Sequence, residues 1–176
     1  MHITVRWLTW INDLPLRDPE DVNLVVIHAT EEPEIKNARN LAETSEDLIG
    51  AHYYIDRDGS VEEWVPITRA ANHTRGHNRR SIGVELVNLG RYPDHFSSNR
   101  QVPSDPFPEA QIESLEQLFR QLRRECSNLS EVEPHSRLDV REVSASDDAS
   151  VMVRRRIDPG PLFPWARVER AFLLAK

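Results

Sequence analysis

The chain has 176 residues, with 29 acidic side chains against 22 basic ones and a formal net charge of −7. That balance speaks against a nucleic-acid binder and against attraction to an anionic membrane, and no apolar run is long enough to span a bilayer. Apolar residues make up 39% of the sequence, ordinary for one globular domain with its own core, and the single cysteine, Cys126, excludes an intrachain disulfide. The expectation is a single domain over 1–176.

The first ten residues, Met1 to Trp10, lack a basic start followed by an apolar stretch, and Arg6 interrupts them. No secretory signal is expected. With a lone cysteine suited to a reducing compartment, the expected location is cytoplasmic. Val22 to Ile27 is nearly continuously apolar and β-branched, so it reads as a strand buried on both faces with His28 at its C-terminal end. Glu34 to Ala42, after Pro33, predicts a short helix. Ala51 to Ile55 predicts a strand, Asp56 to Gly59 a turn, and Ser60 to Val65 its hairpin partner. Trp64, at the end of that hairpin, is expected in the core. Ile82 to Val87 is a second buried strand that contains Glu85.

Leu89 to Pro108 is a long loop with four prolines. Pro106 to Cys126 is the clearest helix: Ile112, Leu115, Phe119, Leu122 and Cys126 recur at spacings of three and four and form one apolar stripe. Asp105 is placed to cap it, with Pro106 at the first helical position. Glu131 to Arg155 is another long stretch, polar around Ser144 to Ser150, and both groove wall and disorder are open for that part. Met152 to Arg156 reads as irregular or extended, and Val168 to Leu174 as a short terminal helix. Alternating strands and helices predict an α/β fold with a central mixed sheet flanked by helices.

Several polar residues sit where chemistry is possible. His28 ends a rigid strand, which suits a metal ligand, although taken alone a hydrogen-bonded structural histidine is the commoner reading; the same holds for His135. Asp158 precedes Pro159, which holds it extended, and Gly160-Pro161 then fixes a turn that aims its carboxylate. Glu85 lies among Ile82, Val84 and Leu86. Facing inward, it would be costly unless paired or functional, and its pKa would rise toward the range of a general base; facing outward, it would be an ordinary solvated Glu. Periodicity leaves both open. Two imidazoles, a carboxylate and a spare Glu are the inventory of a catalytic zinc site with an open position.

The order His28, Glu85, His135, Asp158-Pro159-Gly160-Pro161, together with Ala51-His52-Tyr53-Tyr54-Ile55-Asp56-Arg57-Asp58-Gly59 and Ser81-Ile82-Gly83-Val84-Glu85-Leu86, resembles the type-2 N-acetylmuramoyl-L-alanine amidases. That group includes AmpD-like recycling enzymes, phage amidase lysozymes and peptidoglycan recognition proteins. The resemblance runs from Val22 to Trp165. It implies one zinc ion held by His28, His135 and Asp158, and hydrolysis of the amide between the muramyl lactyl group and L-alanine in peptidoglycan or muropeptides. Glu85 would take the proton of the attacking water and pass it to the leaving amine.

Arg156 stands where many catalytic members carry a Lys that stabilises the oxyanion. Arg can still stabilise negative charge but cannot give up its proton; alternatively it belongs to the solvated run Arg154 to Arg156. Phage members often have a catalytic Tyr where this chain has Ala51, which agrees with a Glu-using enzyme, and His52 reads as structural. Asn72-His73-Thr74 resembles the family's groove-lining Ala-Trp-His-Ala-Gly loop, so His73 is the candidate for substrate contact or oxyanion support. Phe163-Pro164-Trp165 is expected to buttress Asp158. Asn88 and the Arg75 to Arg80 loop are further candidates for binding carboxylates or sugar hydroxyls. Two competing functions remain: a noncatalytic peptidoglycan-binding module and a zinc hydrolase of another amide.

Overall fold

In a computed structural model, which describes residues 1–175, a six-stranded sheet is flanked by helices. The strands are β1 (Ile3–Val5), β2 (Leu24–Ala29), β3 (Tyr53–Ile55), β4 (Val61–Glu63), β5 (Ser81–Leu86) and β6 (Glu131–Pro134), in the spatial order β1-β4-β3-β5-β2-β6. Only the β3–β4 hairpin is antiparallel; β1–β4, β3–β5, β5–β2 and β2–β6 are parallel, so the sheet is mixed as expected. The helices are α1 (Ile35–Glu43), α2 (Glu109–Glu125), α3 (His135–Leu138) and α4 (Trp165–Leu174), and a separate hairpin pairs β7 (Glu142–Ser144) with β8 (Met152–Arg154).

All six residues of β2 are buried, as a strand covered on both faces requires. Side chains alternate across the sheet. Val25, Ile27, Tyr53, Ile55, Ile82, Val84 and Leu86 enter one core with Ile112, Leu115, Leu118, Phe119 and Leu122 of α2 and Val168 and Phe172 of α4. The opposite face meets α1 and the N-terminal segment through Leu8, Trp10, Ala38, Ala42, Tyr54 and Trp64. Trp64 is fully buried and stacks on Tyr54 with ring centroids 3.4 Å apart, as a core residue should. Gln111, buried in α2, donates from Nε2 to the carbonyls of Ile55 and Val87, both at 3.0 Å, and so satisfies the ends of two strands from the helix side.

The start of α2 differs from the expectation. Pro108, not Asp105, precedes its first residue. The Asp105 carboxylate instead accepts from Arg57 at 2.8 and 3.3 Å and from the Leu89 N–H at 2.9 Å. A charge-assisted fork outcompetes a cap bond to one backbone N–H. The stretch 131–155 is not a loop, since it contains β6, α3, β7 and β8. Nor is 144–150 disordered. The Asp147 carboxylate accepts from Ser97 Oγ, Ser98 N and Oγ, and Asn99 Nδ2 at 2.8–3.2 Å, while the Ser146 N–H donates to the Phe96 carbonyl at 3.0 Å. The two long segments are thereby tied to each other.

A buried ion pair anchors the same region. The Arg91 side chain has no exposed surface and meets Glu31 through Nε–Oε1 at 2.7 Å and Nη2–Oε2 at 2.9 Å. Its guanidinium also donates to the carbonyls of Arg154 and Arg155 at 2.9 and 3.2 Å. Removing one member of such a pair strands a buried charge. Arg91→Leu is expected to lower unfolding free energy by about 3–5 kcal/mol in urea titration. Arg137→Ala breaks only the exposed pair with Glu133 and is expected to cost under about 1 kcal/mol. Equal losses would show that Arg91 is not a structural tie.

Candidate functional site

Strand alternation decides which polar side chains escape the core. Val25 and Ile27 of β2 face α2, so His28 faces the other way; Val84 and Leu86 do the same in β5, so Glu85 turns to the side of His28. The parallel register sets the two directly opposite, with Glu85 Oε1 3.9 Å from His28 Nδ1. Glu85 therefore faces a cleft of about 300 Å³ rather than bulk solvent. On the other flank of β2, Ile27 pairs with Pro134, and the next residue, His135, opens α3 beside His28 with ring centroids 4.5 Å apart. The Ser136 N–H donates to the Asp158 carbonyl at 3.0 Å, which draws the Asp158 turn onto α3.

His28, His135 and Asp158 thus meet from three distant parts of the chain. Asp158 Oδ2 lies 3.1 Å from His28 Nδ1 and 3.0 Å from His135 Nδ1, and one ligand atom from each residue falls within 4.8 Å of the others. Asp158 Oδ1 and Glu85 Oε2 are buried without a hydrogen-bond partner, a costly state for carboxylate oxygens that a cation and its water would relieve. Two imidazole nitrogens and one carboxylate oxygen form a donor set that suits zinc better than magnesium or calcium.

Electrostatics separate the roles. Burial, reinforced by His135, pushes the His28 pKa down to about 4. Burial works against ionisation of Asp158, yet His135 and the contacts to both histidines hold its carboxyl far below the usual carboxylate range. Burial first, then the charge of Asp158, raises Glu85 well above the ordinary Glu value, with Arg156 opposing. The site thus pairs an Asp held ionised with a Glu whose protonated form is favoured by burial.

The basic run 154–156 divides. Arg154 donates to the Ser136 carbonyl, Arg155 pairs with Asp139, and Arg156 lines the cleft, where its charge acts on both His28 and Glu85. The solvated-run alternative for Arg156 does not hold. His52 is structural: its Nδ1 accepts from the Gly83 N–H at 3.0 Å, and its Nε2 faces the Arg69 carbonyl and Arg17. His73 borders the cleft, but both ring nitrogens are engaged by the protein: Nδ1 lies 3.0 Å from His28 Nε2 and from Thr74 Oγ1, and Nε2 lies 3.1 Å from Ser81 Oγ. Both nitrogens are thus within hydrogen-bond distance of protein groups. Asn88 is likewise committed, donating to the Asp105 carbonyl and accepting from the Gly90 N–H. Phe163 packs into the core against Phe107 and Trp165, close behind the Asp158 turn.

Some cleft residues carried no sequence signal. Ala38, Leu41 and Ala42 of α1 and Ile49 form an apolar wall, with Leu41 58% and Ile49 53% exposed, and Glu31 and His95 come from loops. They are polar or apolar residues of ordinary context, and only packing brings them to one place.

Three buried histidines, His28, His52 and His73, all have pKa values lowered chiefly by burial. In the unfolded chain each takes up a proton below the ordinary value near 6.5; in the folded protein each stays neutral well below it. The unfolded state binds more protons in that window, so stability falls as pH drops from about 6.5 toward 4. Glu85, Glu32 and Glu63, raised by burial, act in the opposite sense, while His77, also lowered, adds to the histidines, and the expectation is that the fully buried histidines dominate. Urea unfolding of the metal-free protein at pH 7 and 5 is expected to show lower stability at pH 5; no change would mean that the histidines are not buried as neutral groups.

The comparisons with known proteins agree with this geometry. The model of the N-acetylmuramoyl-L-alanine amidase family matches residues 18–161. The endolysin of Escherichia phage T7 is 35% identical over 71 residues, which cover 40% of this chain and only 42% of the lysin. Among solved structures, the N-acetylmuramoyl-L-alanine amidase LysC from Clostridium intestinale superposes with a TM-score of 0.68 at 20% identity, covering 97% of this chain and 96% of that one. AmiD from E. coli, solved as a complex with anhydro-N-acetylmuramic acid-L-Ala-D-γ-Glu-L-Lys, gives a TM-score of 0.64 at 22% identity over 86% of this chain and 57% of that one. At these identities the structures establish the shared fold. The family match over 18–161 spans every residue of the cleft's polar cluster, and the chain belongs to the N-acetylmuramoyl-L-alanine amidase family.

Proposed function

We propose that the chain is a single-domain zinc amidase that hydrolyses the amide between the muramyl lactyl group and L-alanine in peptidoglycan or muropeptides. One observation carries this reading: His28, His135 and Asp158 place three ligand atoms within 4.8 Å of one another, beside a buried Glu85, in an open cleft. One zinc ion would be held by those three residues, and when bound it supplies a positive centre that acidifies water and polarises a carbonyl.

The chain's own groups account for the proton transfers. Glu85 accepts the proton of the attacking water on its carboxylate and delivers it to the nitrogen of the leaving L-alanine, which must depart as an amine. Burial raises its pKa above that of an ordinary Glu, the direction a group that both takes and returns a proton needs. Arg156, always protonated, lies where its charge can offset the negative charge that builds on the amide oxygen. The apolar wall of Ala38, Leu41, Ala42 and Ile49 can take the methyl-bearing lactyl and alanine groups by excluding water.

No helix among the described residues is long and apolar enough to cross a membrane. Buried, unpaired Cys126 suits a reducing compartment. The proposed setting is therefore the cytoplasm and the proposed substrate a soluble anhydro-muropeptide.

Purified muropeptides followed by mass spectrometry test the reading. Release of free stem peptide should stop with a chelator and return with added zinc, and a preference for anhydro over intact sugars would mark the recycling substrate. Stoichiometric zinc without cleavage would instead support a noncatalytic recognition module. Glu85→Gln should retain zinc and lose about 10²–10⁴ in kcat; near-native turnover would remove Glu85 as the proton carrier. Arg156→Lys keeps the charge and should retain or raise activity, whereas Arg156→Ala should cost about 10²–10³ in kcat. A collapse with Lys in a folded variant would show that the guanidinium fork itself is needed.

A further inference from the structure

His28 has two ring nitrogens, and only Nδ1 is turned to Asp158. Its Nε2 points away from the cluster, 3.0 Å from His73 Nδ1. Which of them carries the proton is fixed several residues away. Ser81 Oγ lies 2.8 Å from the His77 carbonyl and 3.1 Å from His73 Nε2. A carbonyl oxygen has no proton to give, so the single Ser81 hydroxyl hydrogen is spent on it. Ser81 Oγ can then only accept from His73, whose proton must sit on Nε2. His73 Nδ1 is left with its lone pair. The nearby Thr74 hydroxyl, 3.0 Å from His73 Nδ1 and 3.4 Å from His28 Nε2, is compatible with this direction. Thr74 can donate to His73 Nδ1 or to His28 Nε2 and does not decide the direction; the Ser81 end of the chain, which puts the His73 proton on Nε2, makes His28 Nε2 the donor to His73. When a metal takes the place of the direct Asp158 contact, His28 Nδ1 is then the lone-pair nitrogen, the state a metal ligand requires.

The His73 ring is held in place as well as oriented. A Cβ on Gly83 would come within 2.6 Å of His73 Cγ and 2.7 Å of Nδ1, so the absence of a side chain at residue 83 is what admits the ring beneath β5. Ser81 and Gly83 are alternate residues of one strand, on the same face as Glu85. One strand thus carries the proton carrier, the seat for the His73 ring and the end of its hydrogen-bond chain.

We propose that His73 is a positioning residue for the metal centre: the chain His28 Nε2–H to His73 Nδ1, His73 Nε2–H to Ser81 Oγ, and Ser81 Oγ–H to the His77 carbonyl locks His28 in the tautomer and orientation that present Nδ1 to the metal. This rests on the zinc reading above. Outer partners of this kind typically contribute about 10–100-fold in metal affinity.

Zinc affinity, measured by competition with a chromophoric chelator, is the main readout, since activity alone would confuse positioning with catalysis. Wild type should bind one zinc ion. His73→Leu should bind it about 10–100-fold more weakly. His73→Asn, whose amide oxygen can stand near the Nδ1 position and accept, should recover part of that loss. Gly83→Ala, which expels the ring, should weaken binding without touching any ligand. Unchanged affinity in a folded His73→Leu variant overturns the proposal while leaving the zinc site intact; absence of zinc binding in wild type overturns the zinc reading itself. Should the variants fail to fold, imidazole nitrogen NMR of the zinc-loaded wild type decides. Zinc on His28 Nδ1 with protons on His28 Nε2 and His73 Nε2 supports the chain, and zinc on His28 Nε2 or a proton on His73 Nδ1 sinks it.

Discussion

The position of β2, paired in parallel on both sides, is the constraint on which the rest of the site depends. Its register with β5 puts His28 opposite Glu85, and its register with β6 brings His135 alongside. The register is strongly specified because Val25 and Ile27 must enter the core with α2. A slip of one residue would bury His28 among apolar side chains and expose those two. The hydrophobic core and the candidate metal centre are therefore opposite faces of one decision.

The polar cluster is an unstable assembly taken residue by residue. Burial favours neutral histidines and a protonated Glu85, while the two imidazoles keep Asp158 ionised. Such a group survives in a folded interior only if its remaining donors and acceptors are satisfied. Beneath the ligands, His73, Thr74, Ser81 and His52 satisfy them through short contacts that end on backbone groups. At the rim, Arg156 supplies a charge that the core lacks. The net effect is a cluster of potential ligand atoms from His28, His135 and Asp158 gathered at one point, with polar partners behind them.

Part of the cleft, including Glu31, His95 and Arg156, comes from segments with little regular structure, and polar ties hold those segments together. Arg91 ties the loop before α2 to Glu31 after β2 and to the carbonyls of Arg154 and Arg155, close to Arg156. Asp147 collects donors from Ser97, Ser98 and Asn99 on that same loop. Glu31 sits at φ +53°, a left-handed conformation that a non-glycine residue adopts at some cost, and its two-point bond to Arg91 offsets that cost.

Sequence periodicity determined the elements long enough or apolar enough to show it: β2, β5, the β3–β4 hairpin, α1, α2 and α4 all lie within a few residues of where the pattern placed them. The order of His28, Glu85, His135 and Asp158, through its resemblance to a known family, named the candidate ligands and a candidate proton carrier. Strands β1, β6 and β7 escaped, and β8 reads only as irregular or extended, because three or four residues carry no measurable period and their composition is partly polar. Asp105 was misread because its partner Arg57 lies 48 residues away and local patterning cannot weigh a distant charge against a nearby N–H. Only the tertiary structure turned Glu85 to the cleft, separated Arg156 from Arg154 and Arg155, and set His73 against His28 Nε2. Each of those outcomes depends on which neighbour across the sheet or across the cleft takes up a hydrogen bond or a charge, and that pairing exists only once distant segments have met.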